Sequence, residues 1–299
     1  MGIEITSSAI RLAAVARRRA NISVLATKTV ELPDGVVNEA YASPNIRDLD
    51  AFSAVFRDCL AGLSVPGIRR AALSLPDGVF RVQTIDFDEL PPKAADRERL
   101  IRWRIEKTSA IDAVDTVLRY QVLKGQDKGF TVLASVVKQA VLAQYEAALA
   151  AAGLESWSVG LSSFHTLNLY APFITGKTPV SALTHITEDS FATIIMEADG
   201  AKFYRYKEIK RSGAAEGRAR FMREIDDSLH FYTHMDRTQR SEVTGLYLTG
   251  EAGLPSDLAE GLRSLTSLEV QVLSPAMIIP SANGAGPEMA AALGAGCSL

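Results

Sequence analysis

The feature that most constrains this chain is a pattern that occurs twice. Gly2-Ile3-Glu4-Ile5-Thr6-Ser7-Ser8-Ala9-Ile10-Arg11-Leu12 reads as a short apolar strand, a polar tip at Thr6, Ser7 and Ser8, and a second strand leaving the turn. Leu183 to Phe191 repeats it, and Glu4-Ile5-Thr6 falls on His185-Ile186-Thr187, 181 residues later. The segments downstream of the two copies also match. Period-two apolar spacing and turn residues predict strands over 10–16 and 22–30 and then a helix after the first copy. After the second copy they predict strands over 191–198 and 202–209 around Asp199-Gly200, again with a helix behind them. A three-strand meander plus helix, used twice, predicts two related lobes.

The 299 residues are enough for two domains with cores of their own. A hydrophobic fraction of 47% against 22% charged residues argues against disorder. The net charge of −3 supplies no basic field, so nucleic acid is not expected as a partner. The two cysteines, Cys59 and Cys297, lie in apolar or small-residue helical contexts and read as buried, reduced thiols. No run approaches the ~18 apolar residues of a membrane-spanning helix. The first residues lack a charged-then-apolar signal pattern. The expectation is a soluble, cytoplasmic protein that meets a membrane only through a partner.

Between the two copies, a helix over 47–63 places Leu49, Phe52, Val55, Phe56, Cys59 and Leu63 on one face. A strand over 70–75 is closed by the turn Pro76-Asp77-Gly78. Residues 79–160 then read as an inserted module: a strand, a helix opened by Pro91-Pro92, two strands joined by a loop over 124–129, an alanine-rich helix capped by Gly153, and a last strand over 155–160. That order, β-α-β-β-α-β, is the order of a split ferredoxin-like unit. Residues 161–175 read as a connecting helix. Beyond the second meander, Phe221, Ile225, Leu229 and Tyr232 mark one face of a long helix over 215–235. A strand over 245–249, a short helix, a strand over 268–273 and a small-residue helix over 288–297 complete the chain.

Several fragments, in this order, carry a resemblance. They are the opening Gly2 to Leu12, Glu31-Leu32-Pro33-Asp34-Gly35, Ala72-Leu73-Ser74-Leu75-Pro76 and Ile101-Arg102-Trp103-Arg104-Ile105-Glu106. Further on come Glu146 with Ala152-Gly153-Leu154-Glu155, Ser228-Leu229-His230-Phe231-Tyr232, Tyr247-Leu248-Thr249-Gly250 and Met289-Ala290-Ala291-Ala292-Leu293-Gly294. Over nearly its whole length the chain resembles the PilM family of type IV pilus assembly proteins, within the actin-like ATPases. The inserted module is similar to that of the division protein FtsA. The resemblance implies an α/β, actin-like (ribonuclease-H-like) two-lobed fold with an inserted β-α-β-β-α-β subdomain. The first lobe is then 1–78 plus 161–179, the insert 79–160 and the second lobe 180–299, with the two hairpin tips facing each other across a cleft.

For function, the resemblance implies a cytoplasmic scaffold of type IV pilus or related secretion machinery, peripheral to the inner membrane. It binds the N-terminal peptide of a PilN-type membrane protein and ties that complex to the assembly ATPases. In the family the peptide lies in a groove between the first lobe and the insert. The family's proline-containing segment after the insert's first helix reads Ser109-Ala110-Ile111 here, so its contacts are not carried over.

An actin-like nucleotide site needs two phosphate hairpins, usually Asp-x-Gly, and a glycine-rich adenosine loop. The carboxylate organises Mg²⁺ and water, and the glycine lets phosphate approach bare backbone amides. Here the first hairpin keeps an acid, Glu4, but has Thr6 for glycine; the second has His185 for the acid and Thr187 for glycine. A β-branched residue crowds the phosphate, and a neutral imidazole cannot organise Mg²⁺. Gly250-Glu251-Ala252-Gly253 keeps only the first glycine of the adenosine loop. The residues that could still hold a nucleotide are Glu4, Thr6, Ser7, Ser8, Arg11, Thr187 and Gly250. The expected state is a scaffold without ATP hydrolysis and without a bound cofactor. The alternatives are a nucleotide-gated ATPase using Mg-ATP and, as a weaker rival, an FtsA-like division protein. His165, His230 and His234 lack the acid of an H-E-x-x-H set, so no metal is expected. Trp103 and Trp157 are expected in the core, with a partner groove as the alternative.

Overall fold

The computed structural model describes residues 1–19, 21–108, 111, 114–124, 129–198, 200–209, 214–234, 242–250 and 256–299. The first meander comprises β1 (Gly2–Ile5), β2 (Ala9–Arg18) and β3 (Asn21–Glu31), followed by α1 (Leu49–Leu63) and β4 (Arg70–Leu75). Asp48 starts α1 by accepting the Ala51 N–H at 2.9 Å, and Ser64 ends it in the left-handed region. That start exposes Leu49, which the apolar spacing places on the buried face.

The chain then runs through β5 (Arg81–Phe87), α2 (Ala94–Thr108), β6 (Thr116–Lys124), β7 (Phe130–Lys138), α3 (Gln139–Ala151) and β8 (Glu155–Leu161). The expected β-α-β-β-α-β order is present, but its elements divide between two sheets. Strands β5, β7 and β6 form a three-stranded antiparallel sheet in that spatial order. Helix α2 covers it, with Ile101 and Ile105 packed on Ile85, Phe87 and Val132. Strand β8 instead pairs in parallel with β4, from Arg70 opposite Glu155 to Leu75 opposite Leu161. Helix α3 buries Val141, Leu142, Tyr145 and Leu149 in the core that holds Phe52, Phe56 and Leu73. The expectation of an insert reaching residue 160 is therefore corrected. Its last helix and strand belong to the first lobe, because β4 offers an open parallel edge and α1's core an unfilled face.

Helix α4 (Ser162–Ile174) crosses to the second meander, β9 (Ser181–Ile186), β10 (Ser190–Glu197) and β11 (Gly200–Glu208). After it come α5 (Ala214–His234), β12 (Gly245–Gly250), α6 (Ser256–Thr266), β13 (Glu269–Val272) and α7 (Ala290–Cys297). The two large sheets have the same topology, β3-β2-β1-β4-β8 and β11-β10-β9-β12-β13. In each, the first strand pairs antiparallel with the second and parallel with the fourth. The repeat legible in the sequence is thus a repeat of whole sheets. Among the described residues no helix is long and apolar enough to cross a membrane.

Helix α7 also departs from the sequence reading. Expected inside the second lobe, it packs on β1, β2 and β4 of the first sheet and on α4. Its run Ala290-Ala291-Ala292-Leu293-Gly294-Ala295-Gly296 is wholly buried. A Cβ on Gly2 would stand 1.8 Å from the Ala292 carbonyl oxygen, and one on Gly294 would stand 1.9 Å from that of His165. Backbone meets backbone at both places. The two tryptophans are also not in the core: Trp103 and Trp157 are each about half exposed. Each ring is instead shielded on one face by a cation, Lys107 at 5.2 Å and Arg70 at 4.2 Å. Cys59 is buried and Cys297 half-buried, and both are free thiols.

Because the atom facing Gly294 is main chain, it cannot swing aside. We expect Gly294→Ala to cost about 3 kcal/mol or more, at the upper end of overpacking penalties. Equilibrium denaturation would read this as a lower midpoint; an unchanged midpoint would contradict the packing described for α7.

Candidate functional site

The two tips meet across a cleft, as the resemblance implies. Thr6 closes the first tip: its N–H donates to the Ala9 carbonyl at 2.9 Å, and its hydroxyl oxygen accepts the Ala9 N–H at 3.0 Å. Thr187 does the same for the second tip, donating its N–H to the Ser190 carbonyl at 2.9 Å and bonding the Ser190 hydroxyl at 2.6 Å. Neither threonine has a positive φ. These side chains serve their own turns.

Strand register places Arg11 opposite Glu4. Arg11 Nη1 donates to Glu4 Oε2 at 3.2 Å, and the two side chains are only 6% and 3% exposed. His185 occupies the matching position in the second copy and is also buried. Burial, with the Arg11 guanidinium adding to it, pushes the imidazole down to about 4, so it is neutral at pH 7. Its Nδ1 has no hydrogen-bond partner among the described residues.

Glu4, Thr6, Ser7, Ser8 and Thr187 line one cavity together with His185. Arg11 lies beneath it, on Glu4. Gly250 does not line it. A Cβ there would stand 1.8 Å from the Ile186 carbonyl oxygen, and its φ is 139°, so strand packing requires the glycine. The rest of the expected adenosine loop, 251–253, lies outside the described residues, as do Ser109 and Ala110.

Sequence reasoning missed two carboxylates in this cleft. Glu39 accepts the Ser7 N–H at 2.8 Å. Its loop is fixed where Asn45 Oδ1 accepts the Ala40 N–H at 3.1 Å and Gln144 Oε1 of α3 accepts the Asn45 N–H at 2.7 Å. Burial pushes Glu39 up to about 7; the Ser7 bond opposes this, and Asp189 and Glu4 add to it. Asp77, 5% exposed, accepts from the Ser163 N–H at 3.1 Å, from the Ser163 hydroxyl and from the Tyr204 hydroxyl at 2.9 Å. Burial pushes it up to about 6 against those bonds. Pro76-Asp77-Gly78 carries a clear turn signal and nothing that marks its carboxylate as buried. Glu39 sits in a stretch without periodicity.

The cavity measures only about 40 Å³. Small-molecule sites run to ~300–1,000 Å³. At the first tip the Ser7 amide, which points to an outside acceptor, already holds the Glu39 carboxylate. Arg11 is already paired. Glu188 and Asp189 add further acid to the lining. These residues do not fit a magnesium–nucleotide.

A second opening, about 790 Å³, lies where α2 of the insert approaches α3 of the first lobe. Arg102 and Glu106 form one wall, Val114, Asp115 and Thr116 an end, and Gln139, Ala140 and Ala143 the other wall. Arg102 is held by a 2.9 Å bond to the Thr116 hydroxyl, and Val114 is 63% exposed. Elsewhere, His230 meets Asp226 at 3.5 Å and His234 Nδ1 meets the His230 carbonyl at 2.7 Å, contacts within α5. His165 is buried and pushed down to about 4. Among the described residues no three His, Cys, Asp or Glu side chains cluster as metal ligands.

The buried imidazole gives a pH prediction. A His185 pKa lowered from 6.5 to about 4 on folding contributes stability that is present above pH 6.5 and lost as pH falls toward 4. Glu39 and Asp77 have the opposite sign, since their raised values favour the fold at low pH and lose that advantage as pH rises through about 7 and 6. His185→Gln should therefore shrink the loss of stability between pH 6.5 and 4 by about 2–3 kcal/mol. Denaturation midpoints across that range test it; parallel wild-type and variant curves would count against a neutral buried His185.

No protein-family model and no curated protein matches the chain by sequence. Solved structures do match by shape. The chain is similar to a chain of the PilM–PilN type IV pilus biogenesis complex, with 17% identity and a TM-score of 0.84 over 99% of this chain and 97% of that one. It is similar to a protein from Bacteroides thetaiotaomicron with an actin-like ATPase fold, with 12% identity and a TM-score of 0.58 over 98% and 93%. The third likeness is to the cytoplasmic domain of EpsL, an inner-membrane component of the type II secretion system of Vibrio cholerae, with 13% identity and a TM-score of 0.55 over 99% and 94%. Together they show that this chain has the actin-like ATPase fold.

Proposed function

We propose that this protein is a PilM-like scaffold of type IV pilus or related secretion machinery, and that its working surface is the groove between insert and first lobe. The observation that carries this reading is the contrast between the two openings. The cleft offers about 40 Å³, with the Ser7 amide already held by Glu39, whereas the groove offers about 790 Å³ with small side chains on one wall. In this reading the groove takes the N-terminal cytoplasmic peptide of a PilN-type membrane protein. The likeness to the PilM–PilN complex supports that partner, and EpsL supports a place beside the inner membrane. The scaffold so held joins the membrane complex to the assembly ATPases from the cytoplasmic side. Neither ATP nor Mg²⁺ has a part in it.

The test is calorimetric titration with a PilN-type N-terminal peptide and, separately, with Mg-ATP. Saturable peptide binding without ATP heat is the expected result. Ala143→Arg, at an exposed wall position, should weaken the peptide at least tenfold, about 1.4 kcal/mol, and leave the fold intact. Micromolar Mg-ATP binding would overturn the reading of the cleft. Peptide silence would overturn the scaffold assignment.

A further inference from the structure

Strand β11 lies at the inner edge of the second lobe, packed against β5 and β7 of the insert and against the turn after β4. Tyr204 and Tyr206, two residues apart, point to one side of it. The Tyr204 hydroxyl donates to Asp77 Oδ1 at 2.9 Å, and its ring stacks on Phe164 of α4 with centroids 5.7 Å apart and planes 18° apart. The same Asp77 carboxylate accepts the Ser163 N–H at the start of α4. Tyr206 closes over the next residue. A Cβ on Gly78 would stand 2.7 Å from the Tyr206 hydroxyl oxygen and 3.3 Å from Cζ. The Tyr206 hydroxyl also bonds Ser190, at the base of the second tip. The Asp77-Gly78 turn is therefore gripped between α4 and the second lobe.

The cleft needs such a grip. The first lobe brings Glu4 and Glu39 to it, and the second brings Glu188 and Asp189. The facing charges are largely of one sign. Arg11 is committed to Glu4, and His185 is neutral. Asp189 is close enough to Glu39 to raise its pKa, so the two lobes repel each other there. A bound ligand would ordinarily bridge two such faces, but a cavity of about 40 Å³ has no room for one the size of a nucleotide.

We propose that the tyrosine joint, Tyr204 on Asp77 and Tyr206 on Gly78, sets the closure of the cleft, so that the chain's own contacts hold the lobes together. The joint lies away from the groove and does not depend on what the groove binds. Near neutral pH the groups facing it are Asp77 and Arg81 from the first lobe and insert, Glu39 from the loop after β3, and Glu208 on β11 itself.

The contact at Gly78 supplies a wedge and its release. Gly78→Ala drives a methyl group into the Tyr206 hydroxyl; Tyr206→Phe removes that oxygen and leaves the 3.3 Å approach to Cζ, which a small shift relieves. Hydrogen–deuterium exchange of the whole protein, read at residues 5–9 and 187–191, reports opening of the cleft. Gly78→Ala should speed exchange at both tips about tenfold, and the Gly78→Ala/Tyr206→Phe pair should return it to within about threefold of wild type. The central amides Ile3 and Leu73 should stay as slow as in wild type, which separates lobe opening from general destabilisation. Wild-type exchange in Gly78→Ala, or no recovery in the double variant, would overturn the joint. Should Gly78→Ala fail to fold, Tyr204→Phe decides: faster exchange at both tips supports the proposal, and unchanged exchange rejects it.

Discussion

At Gly2 and Gly294 the main chain of one element presses on the main chain of another with no space for a methyl group. This contact lets α7, made almost entirely of alanine and glycine, lie flat between the central strands of the first sheet and α4. Larger residues would push the three apart. Because α4 is also the bridge to β9, its seat on α7 fixes where the second sheet begins. The approach of the two tips, some distance away, depends on that seat. Arg11 on the first meander can then act on His185 of the second. The cleft is a consequence of how closely a small-residue helix can be packed.

The repeated meander was legible because its signal is local. Alternation, a polar tip and a following helix need no knowledge of neighbours, and both sheets formed with the order the duplication implied. Sheet membership is a different kind of fact. The strand over 155–161 has the same alternation wherever it pairs, and only the open edge of β4 draws it away from the insert. Helix α7 is the same case: its composition announces close packing without saying against what. Trp103 and Trp157 failed in the opposite direction, because a nearby cation makes a half-exposed indole acceptable.

In the cleft, the altered hairpin positions were legible and the groups that meet them in space were not. Thr6, His185 and Thr187 stand where glycines and an acid belong, and substitution at a known motif position is visible in sequence. Glu39 and Asp77 reach the same space from a loop and a turn. Their roles depend on desolvation and on donors 32 and 86 residues away along the chain, Ser7 and Ser163. Tyr204 and Tyr206 read only as alternate residues of a strand. Titratable groups gathered by tertiary contact leave no pattern in the chain.

The magnitudes also favour a closed cleft over an occupied one. The cation at the first tip is Arg11, and turning it toward a phosphate would leave Glu4 buried without that partner. Breaking a buried pair in that way costs about 3–5 kcal/mol. Each carboxylate facing a phosphate charge at about 6 Å adds roughly 3 kcal/mol of repulsion at an effective dielectric near 20. The Ser7 amide cannot offset these terms, because Glu39 already holds it. The same acids face one another when the cleft is empty, and protonation relieves that only in part, with Glu39 near 7. The repulsion that would oppose a bound phosphate therefore also works to separate the lobes. In a cleft that no ligand bridges, the proposed joint, hydroxyls on a buried carboxylate and tyrosine over glycine, would hold the lobes together without adding charge to the cleft.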